Sequence, residues 1–256
     1  MTMRVATLAL AIVLAAGTAP AQIRNVVVTS AASFEKGMPW PGSLASVFCT
    51  GLKGINGIVV ADRYPLPLEL AGVRVMIGEV RAPLFAVAEL GGYEQINLQV
   101  PWEAWPGADV TVEQSGEQAK VVAPFPLYPG QFFRLPDGSG AFQHADYSLV
   151  NAANPARAGE VVLGYLTGLV IGSTVPAAVT GQPAPANPPS VVNQLLKSGS
   201  PPRFQIWVGD PPNQNVVDPL FLGLAPGLVG VYQVNFLGSC PKSVKAEHGS
   251  EVLSLQ

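Results

Sequence analysis

The chain repeats itself. Thr50-Gly51-Leu52 returns as Thr167-Gly168-Leu169, 117 residues on, and Gln95-Ile96-Asn97 returns as Gln233-Val234-Asn235, 138 residues on. Ser30-Ala31-Ala32-Ser33 is answered by Asn151-Ala152-Ala153-Asn154, and Pro83-Leu84-Phe85 by Pro219-Leu220-Phe221. Motifs recurring in unchanged order mark one structural unit written twice, so the two halves must share a fold. The change of offset places 21 additional residues between Thr167 and Gln233 in the second copy. Residues 176–202, with seven prolines in a Ser, Gly and Asn background, are where they are expected, as a long surface loop with a short helical turn over 191–197. Long loops on β scaffolds often carry binding function, but an inert insertion fits the composition equally.

The repeated unit is β. Short runs rich in Val, Ile, Phe and Tyr, bounded by Gly and Pro, predict strands at 25–30, 44–49, 73–77, 94–100, 110–114 and 120–123. In Val73-Arg74-Val75-Met76-Ile77 the apolar side chains share one face, as in a half-buried strand. Ser115-Gly116-Glu117 reads as a hairpin loop. The second copy continues the pattern at 131–135, 160–166, 203–208, 216–222 and 231–236, with short strands at 243–246 and 251–255, the last frayed. Twenty-five prolines and 27 glycines exclude long central helices and demand many tight connections. Turn signals about 8 to 12 residues apart are those of antiparallel sandwiches. The expected architecture is all-β, two tandem immunoglobulin-like sandwiches over 22–127 and 128–256, joined at the proline-rich stretch 124–129.

The first 21 residues read as a signal peptide: Arg4 is a basic n-region, residues 5–16 are apolar, and Ala19-Pro20-Ala21 is a cleavage site. The apolar run is well short of the ~20 residues a membrane span requires. A secreted, periplasmic or cell-surface protein that does not span a membrane is expected. Fourteen basic against 17 acidic residues, with no Lys/Arg cluster, argue against nucleic acid. Only 12% of residues are charged, against about 25% in an average soluble chain, which suits a surface that touches neighbours. Two cysteines in an exported chain admit one disulfide: Cys49–Cys240 would staple the halves together, while two separate thiols, one of them buried, fit as well.

Several of these blocks together carry a family likeness. Pro41-Gly42-Ser43-Leu44-Ala45-Ser46-Val47-Phe48, Ala82-Pro83-Leu84-Phe85 and Gln95-Ile96-Asn97-Leu98-Gln99-Val100-Pro101 belong to it. So do Val150-Asn151-Ala152-Ala153-Asn154-Pro155-Ala156 and the run from Leu224-Ala225-Pro226-Gly227 to Gln233-Val234-Asn235. The set resembles the β-rich C-terminal domain of secreted proteins from Solibacter-type acidobacteria and covers nearly the whole chain after residue 21. Each copy also resembles, more distantly, an IPT/TIG-type immunoglobulin-like domain. The resemblance implies a fold and an exported setting; it brings no activity and no catalytic residues.

Candidate chemistry is sparse. His144 and His248 are the only histidines. His144-Ala145-Asp146 would share one strand face, yet no motif ties a nucleophile to them. No C-x-x-C, H-x-x-x-H or Asp-rich loop appears, and neither a metal nor a cofactor is implied. Gln95 with Asn97, and Gln233 with Asn235, each place two amides on one strand face; they either form a polar ladder for a partner or satisfy neighbouring backbone. Trp40, Trp102 and Trp105 lie in loops, where they either stack on sugar rings or cover the sandwich end and the junction. The leading expectation is a non-enzymatic structural, adhesion or interaction module for extracellular proteins. The alternative is a carbohydrate-binding module using Trp40, Trp102 and Trp105, with a hydrolase a distant third.

Overall fold

The computed structural model describes residues 22–122, 130–169, 174–192, 205–208, 215–238, 243–247 and 252–254. The expected signal peptide, the linker at 124–129, Cys240 and His248 lie outside them.

The first half is laid down as β1 (Arg24–Ser30), β2 (Leu44–Thr50), β3 (Ile58–Val60), β4 (Val73–Ile77), β5 (Val80–Arg81), β6 (Leu84–Glu89), β7 (Glu94–Gln99), β8 (Val110–Gln114) and β9 (Glu117–Val121). They form two antiparallel sheets, ordered β1-β2-β7-β6-β3 and β5-β4-β8-β9. The second half comprises β10 (Gln131–Phe132), β11 (Phe142–His144), β12 (Val161–Thr167), β13 (Thr174–Val175), β14 (Val191–Val192), β15 (Gln205–Val208), β16 (Asn215–Val217), β17 (Phe221–Leu224), β18 (Tyr232–Leu237), β19 (Ser243–Glu247) and β20 (Val252–Ser254). Its sheets run β10-β12-β18-β17-β14-β13, with β11 also on β12, and β16-β15-β19-β20. The order β2-β7-β6-β3 is thus repeated as β12-β18-β17-β14, and β5-β4-β8-β9 as β16-β15-β19-β20. The duplication seen in the motifs extends to strand order. No helix occurs among the described residues, and the sheets are open rather than closed barrels, an arrangement that fits a β-sandwich.

Alternation builds the first core. Val73, Val75 and Ile77 of β4 and Val110 and Val112 of β8 are 0–1% exposed, while Arg74 and Thr111 turn outward. From the facing sheet come Val47, Val87, Ile96 and Leu98, so both sheets of the half close over one cluster. Each such side chain, fully buried, contributes about 1.5–3 kcal/mol. The β8–β9 hairpin is tighter than the three-residue loop expected: Gln114 pairs with Glu117 across Ser115 (φ 51) and Gly116 (φ 81). Positive φ at both loop residues is the twist a two-residue hairpin needs, and it starts β9 three residues before the expected strand.

The second core is aromatic. The Phe132 and Phe142 rings lie 5.2 Å apart between centroids, and Phe236 meets Phe142 edge-on at 6.1 Å. Gly164, in the middle of β12, makes room for them: a Cβ there would stand 2.8 Å from Phe132 and 2.9 Å from Phe142. At the 117-residue offset its counterpart is Val47, a core side chain of the first half.

Three local expectations are corrected. Residues 216–222 are not one strand, because Pro219 lacks an N–H to pair and the chain passes from β16 in one sheet to β17 in the other. Val191 and Val192 are not helical; they form β14, and Val191 pairs with Gly223. The remainder of 193–197 lies outside the described residues. His144 and Asp146 do not share a strand face, because β11 ends at His144 and the chain turns there, with the Tyr147 N–H donating to the His144 carbonyl at 2.9 Å.

Candidate functional site

Polar side chains gather at the junction between the halves and on the outer face of each large sheet. The junction begins at Thr167, the last residue of β12. Its Oγ1 accepts the Leu44 N–H at 2.9 Å and donates to the Gly230 carbonyl at 2.9 Å. Gln99, at the end of β7, accepts the Gly181 N–H at 2.7 Å and donates to the Gly42 carbonyl at 3.3 Å. Gln131 accepts from Ser33 Oγ and donates to Glu35 Oε2, both at 2.8 Å. Thr167 and Gln99 are each 1% exposed, so their hydrogen bonds satisfy backbone groups from within a buried junction.

The tryptophans separate. Trp102 belongs to the junction: its N–H donates to Thr180 Oγ1 at 3.0 Å, and its indole packs against the second core. The ring lies on Gly42, where a Cβ would come within 2.3 Å of it and φ is +83°, so glycine is required there twice over. Trp40 is half-buried and borders a crevice of about 20 Å³ shared with Gln131 and Thr167, too small for any ligand larger than water. Trp105 alone stands out, 81% exposed. The three expected binding tryptophans are therefore not brought together on one open surface.

The proline-rich excess of the second copy is no free surface loop over its described part. Gly181 is buried against the first half and its carbonyl accepts the Leu66 N–H at 2.8 Å. Thr180 Oγ1 donates to Glu103 Oε2 at 2.7 Å. Farther along, the Ala184 N–H donates to the Leu228 carbonyl and the Leu224 N–H to the Ser190 carbonyl, tying the segment to the β17–β18 connection.

That segment walls one side of an open cleft of about 410 Å³ on the outer face of the second large sheet. Register defines its floor. Tyr165, Gln233 and Gly223 lie abreast across β12, β18 and β17, and Leu163, Asn235 and Phe221 form the neighbouring row. Gln233 Nε2 donates to Asn235 Oδ1 at 2.8 Å. Tyr147, 66% exposed, stands beside Tyr165; burial, and secondarily Tyr147, raises the Tyr165 phenol above its ordinary value. Its hydroxyl stays protonated and available as a donor.

The same positions in the first half hold Phe48, Gln95 and Ala88, then Ser46, Asn97 and Ala86. There the amides are knotted: Gln95 Nε2 and Ser46 Oγ donate to Asn97 Oδ1 at 2.7 and 2.8 Å. Phe48 lies 6.3 Å from Phe34 and 6.0 Å from Tyr93 between ring centroids. Both copies thus place aromatic rings next to the repeated Gln-x-Asn pair. Sequence spacing put the two amides on one face but missed Tyr147, Tyr165 and Phe221. The available signal was Tyr165 standing 117 residues after Phe48.

The remaining candidates are structural. Cys49 is a buried free thiol whose S–H points to Glu94 Oε2 at 4.0 Å, and Cys240 lies outside the described residues. Burial, then the Glu94 charge, pushes the Cys49 thiol up to about 12. His144 is held between Glu160 Oε1 and the Asn154 carbonyl, each at 3.1 Å, while Asp146 caps Ser148 in its turn. Among the described residues no three His, Cys, Asp or Glu side chains gather as a metal site would require, and no helix is long and apolar enough to cross a membrane. No protein-family model matches the chain, and comparison with curated proteins returns no match.

Proposed function

We propose that this chain is an exported, non-enzymatic recognition module built of two tandem immunoglobulin-like sandwiches. One observation carries the reading: in both halves the outer face of the large sheet sets aromatic rings beside a hydrogen-bonded amide pair, Phe48 with Gln95 and Asn97, and Tyr165 with Gln233 and Asn235. Aromatic rings supply contact area at low entropic cost, and planar amides add directional hydrogen bonds; together they suit binding to a macromolecule. The junction supports the same reading, since hydrogen bonds through Gln99, Thr167 and Gln131 hold the two faces in one relative geometry. Pre-organised surfaces spend less free energy on ordering when they bind. Export rests on the n-region, the apolar run and Ala19-Pro20-Ala21.

The mature chain should be retained saturably on an immobilised extracellular protein or polysaccharide without consuming it. Release of reducing ends or peptides in proportion to time and protein would contradict the proposal. So would a failure to be retained saturably on either class.

A further inference from the structure

The second half's cleft differs from its counterpart position in a way that changes what it can hold. In the first half, Ser46 fills out the hydrogen bonding of Asn97. In the second, Leu163 stands across from Asn235, so the hydroxyl is lost. The bond from Gln233 to Asn235 is then the one side-chain hydrogen bond either amide makes among the described residues. An amide pair offers several donors and acceptors, and one mutual bond uses one of each. The remainder face a cleft whose volume of about 410 Å³ falls within the range of small-ligand sites.

The lining selects the ligand class. It contains no charged side chain, so nothing there would offset a carboxylate, phosphate or ammonium group. Tyr147 and Tyr165 both line the cleft, each with an aromatic ring and a hydroxyl. Ala186 and Pro189, from the proline-rich excess of the second copy, add apolar lining. The cleft lies on the face of the sheet across β12, β18 and β17, where β12 and β18 are each paired on both sides and give an extended peptide no edge to join. An apolar ring face, in-plane amides and phenol hydroxyls match a sugar ring, with its patches of C–H and its fringe of hydroxyls.

We propose that this cleft binds a neutral oligosaccharide, with Tyr147 and Tyr165 as the stacking surface and Gln233 and Asn235 as the hydroxyl-reading groups. The assignment rests on the recognition-module reading and adds to it a site and a ligand class. The test titrates the full mature chain by calorimetry with neutral oligosaccharides cut from β-glucan, α-glucan, xylan and mannan. An acidic oligogalacturonate and a proline-rich peptide are run alongside. Tyr147→Asn removes a ring from an exposed residue at φ 67, a backbone conformation asparagine tolerates, and Gln233→Ala removes one amide. Saturable binding of a neutral oligosaccharide is expected, weakened about tenfold or more in each variant. Unchanged binding in Tyr147→Asn together with loss in Trp105→Ala would leave the chain a recognition module and overturn the cleft as its site. Tighter binding of the acidic sugar or the peptide, or no saturable binding of any neutral sugar, would overturn the ligand class.

Discussion

The side-chain oxygen of Gln99, in the first half, accepts the backbone N–H of Gly181, in the second, at 2.7 Å. Through its other end the same amide holds the Gly42 carbonyl. Gln99→Ala would leave both backbone groups buried without a partner, at a cost of about 1–3 kcal/mol for each group stranded. With two groups stranded, urea denaturation should show a loss of about 2–6 kcal/mol. A change below about 0.5 kcal/mol, ordinary for a surface substitution, would mean that the junction is not dry.

Thr50 and Thr167 are the same motif residue in unlike settings. Thr50 is half-exposed at the end of β2, whereas Thr167 is 1% exposed and bonds both Leu44 and Gly230. Thr167→Val should cost about 1–3 kcal/mol and Thr50→Val close to nothing, measured by the same denaturation. Equal effects would contradict the role given to the junction.

Gly164 is a packing device. A Cβ at that position meets two phenylalanine rings at less than 3.0 Å, and both are wedged in the core. Gly164→Ala should destabilise the protein by about 1–3 kcal/mol through overpacking. Phe142→Leu in the same chain should recover part of the loss, and additive losses would show that the two sites do not touch.

Cys49 should ignore thiol reagents in the folded protein at pH 8 and react on unfolding, since its thiol is buried and raised to about 12 from 9.0. The sign of the pH effect follows. Below pH 9.0 the thiol is protonated in both states and adds no slope. Between 9.0 and about 12 the unfolded chain loses the proton and the folded chain keeps it, so stability falls by up to about 1.4 kcal/mol per pH unit. Cys49→Ala should flatten the stability curve over that window; an unchanged slope would contradict the burial of the thiol.

Tyr232 is 1% exposed, its hydroxyl has no hydrogen-bond partner among the described residues, and burial raises its pKa. Removing an unsatisfied buried hydroxyl relieves its desolvation cost, so Tyr232→Phe should match or exceed the parent's stability by up to about 1 kcal/mol. A marked loss by thermal melting would mean that the hydroxyl is bonded.

What was legible in the sequence was short-range. Alternation in 73–77 and 110–114 gave strands with the observed bounds, and the repeated blocks led to two halves whose strand orders match. Contacts between distant segments were not legible. Phe85 and Phe221 occupy the same motif, yet a bulge between Leu84 and Ala86 sets Ala86 opposite Asn97, whereas Phe221 itself faces Asn235. Trp102 and Trp105 are three residues apart, and only contacts from distant segments, Gly42 and the second core against the indole and Thr180 on the backbone N–H, decide that Trp102 is covered. The cleft needed Tyr147, Tyr165, Phe221 and Gln233 to be drawn from four places in the chain, and no local pattern records that convergence.

The fixed relation between the halves is tested most directly by the distance between two spin labels. Gln118→Cys and Asp218→Cys, in a Cys240→Ser background, put one label on an exposed position of each half while buried Cys49 stays unlabelled. Pulsed dipolar spectroscopy should give one narrow distance distribution in the parent, broadened when Gln99→Ala and Thr167→Val are combined. A broad distribution in the parent, unaltered by those two substitutions, would contradict a junction that holds both faces in one geometry.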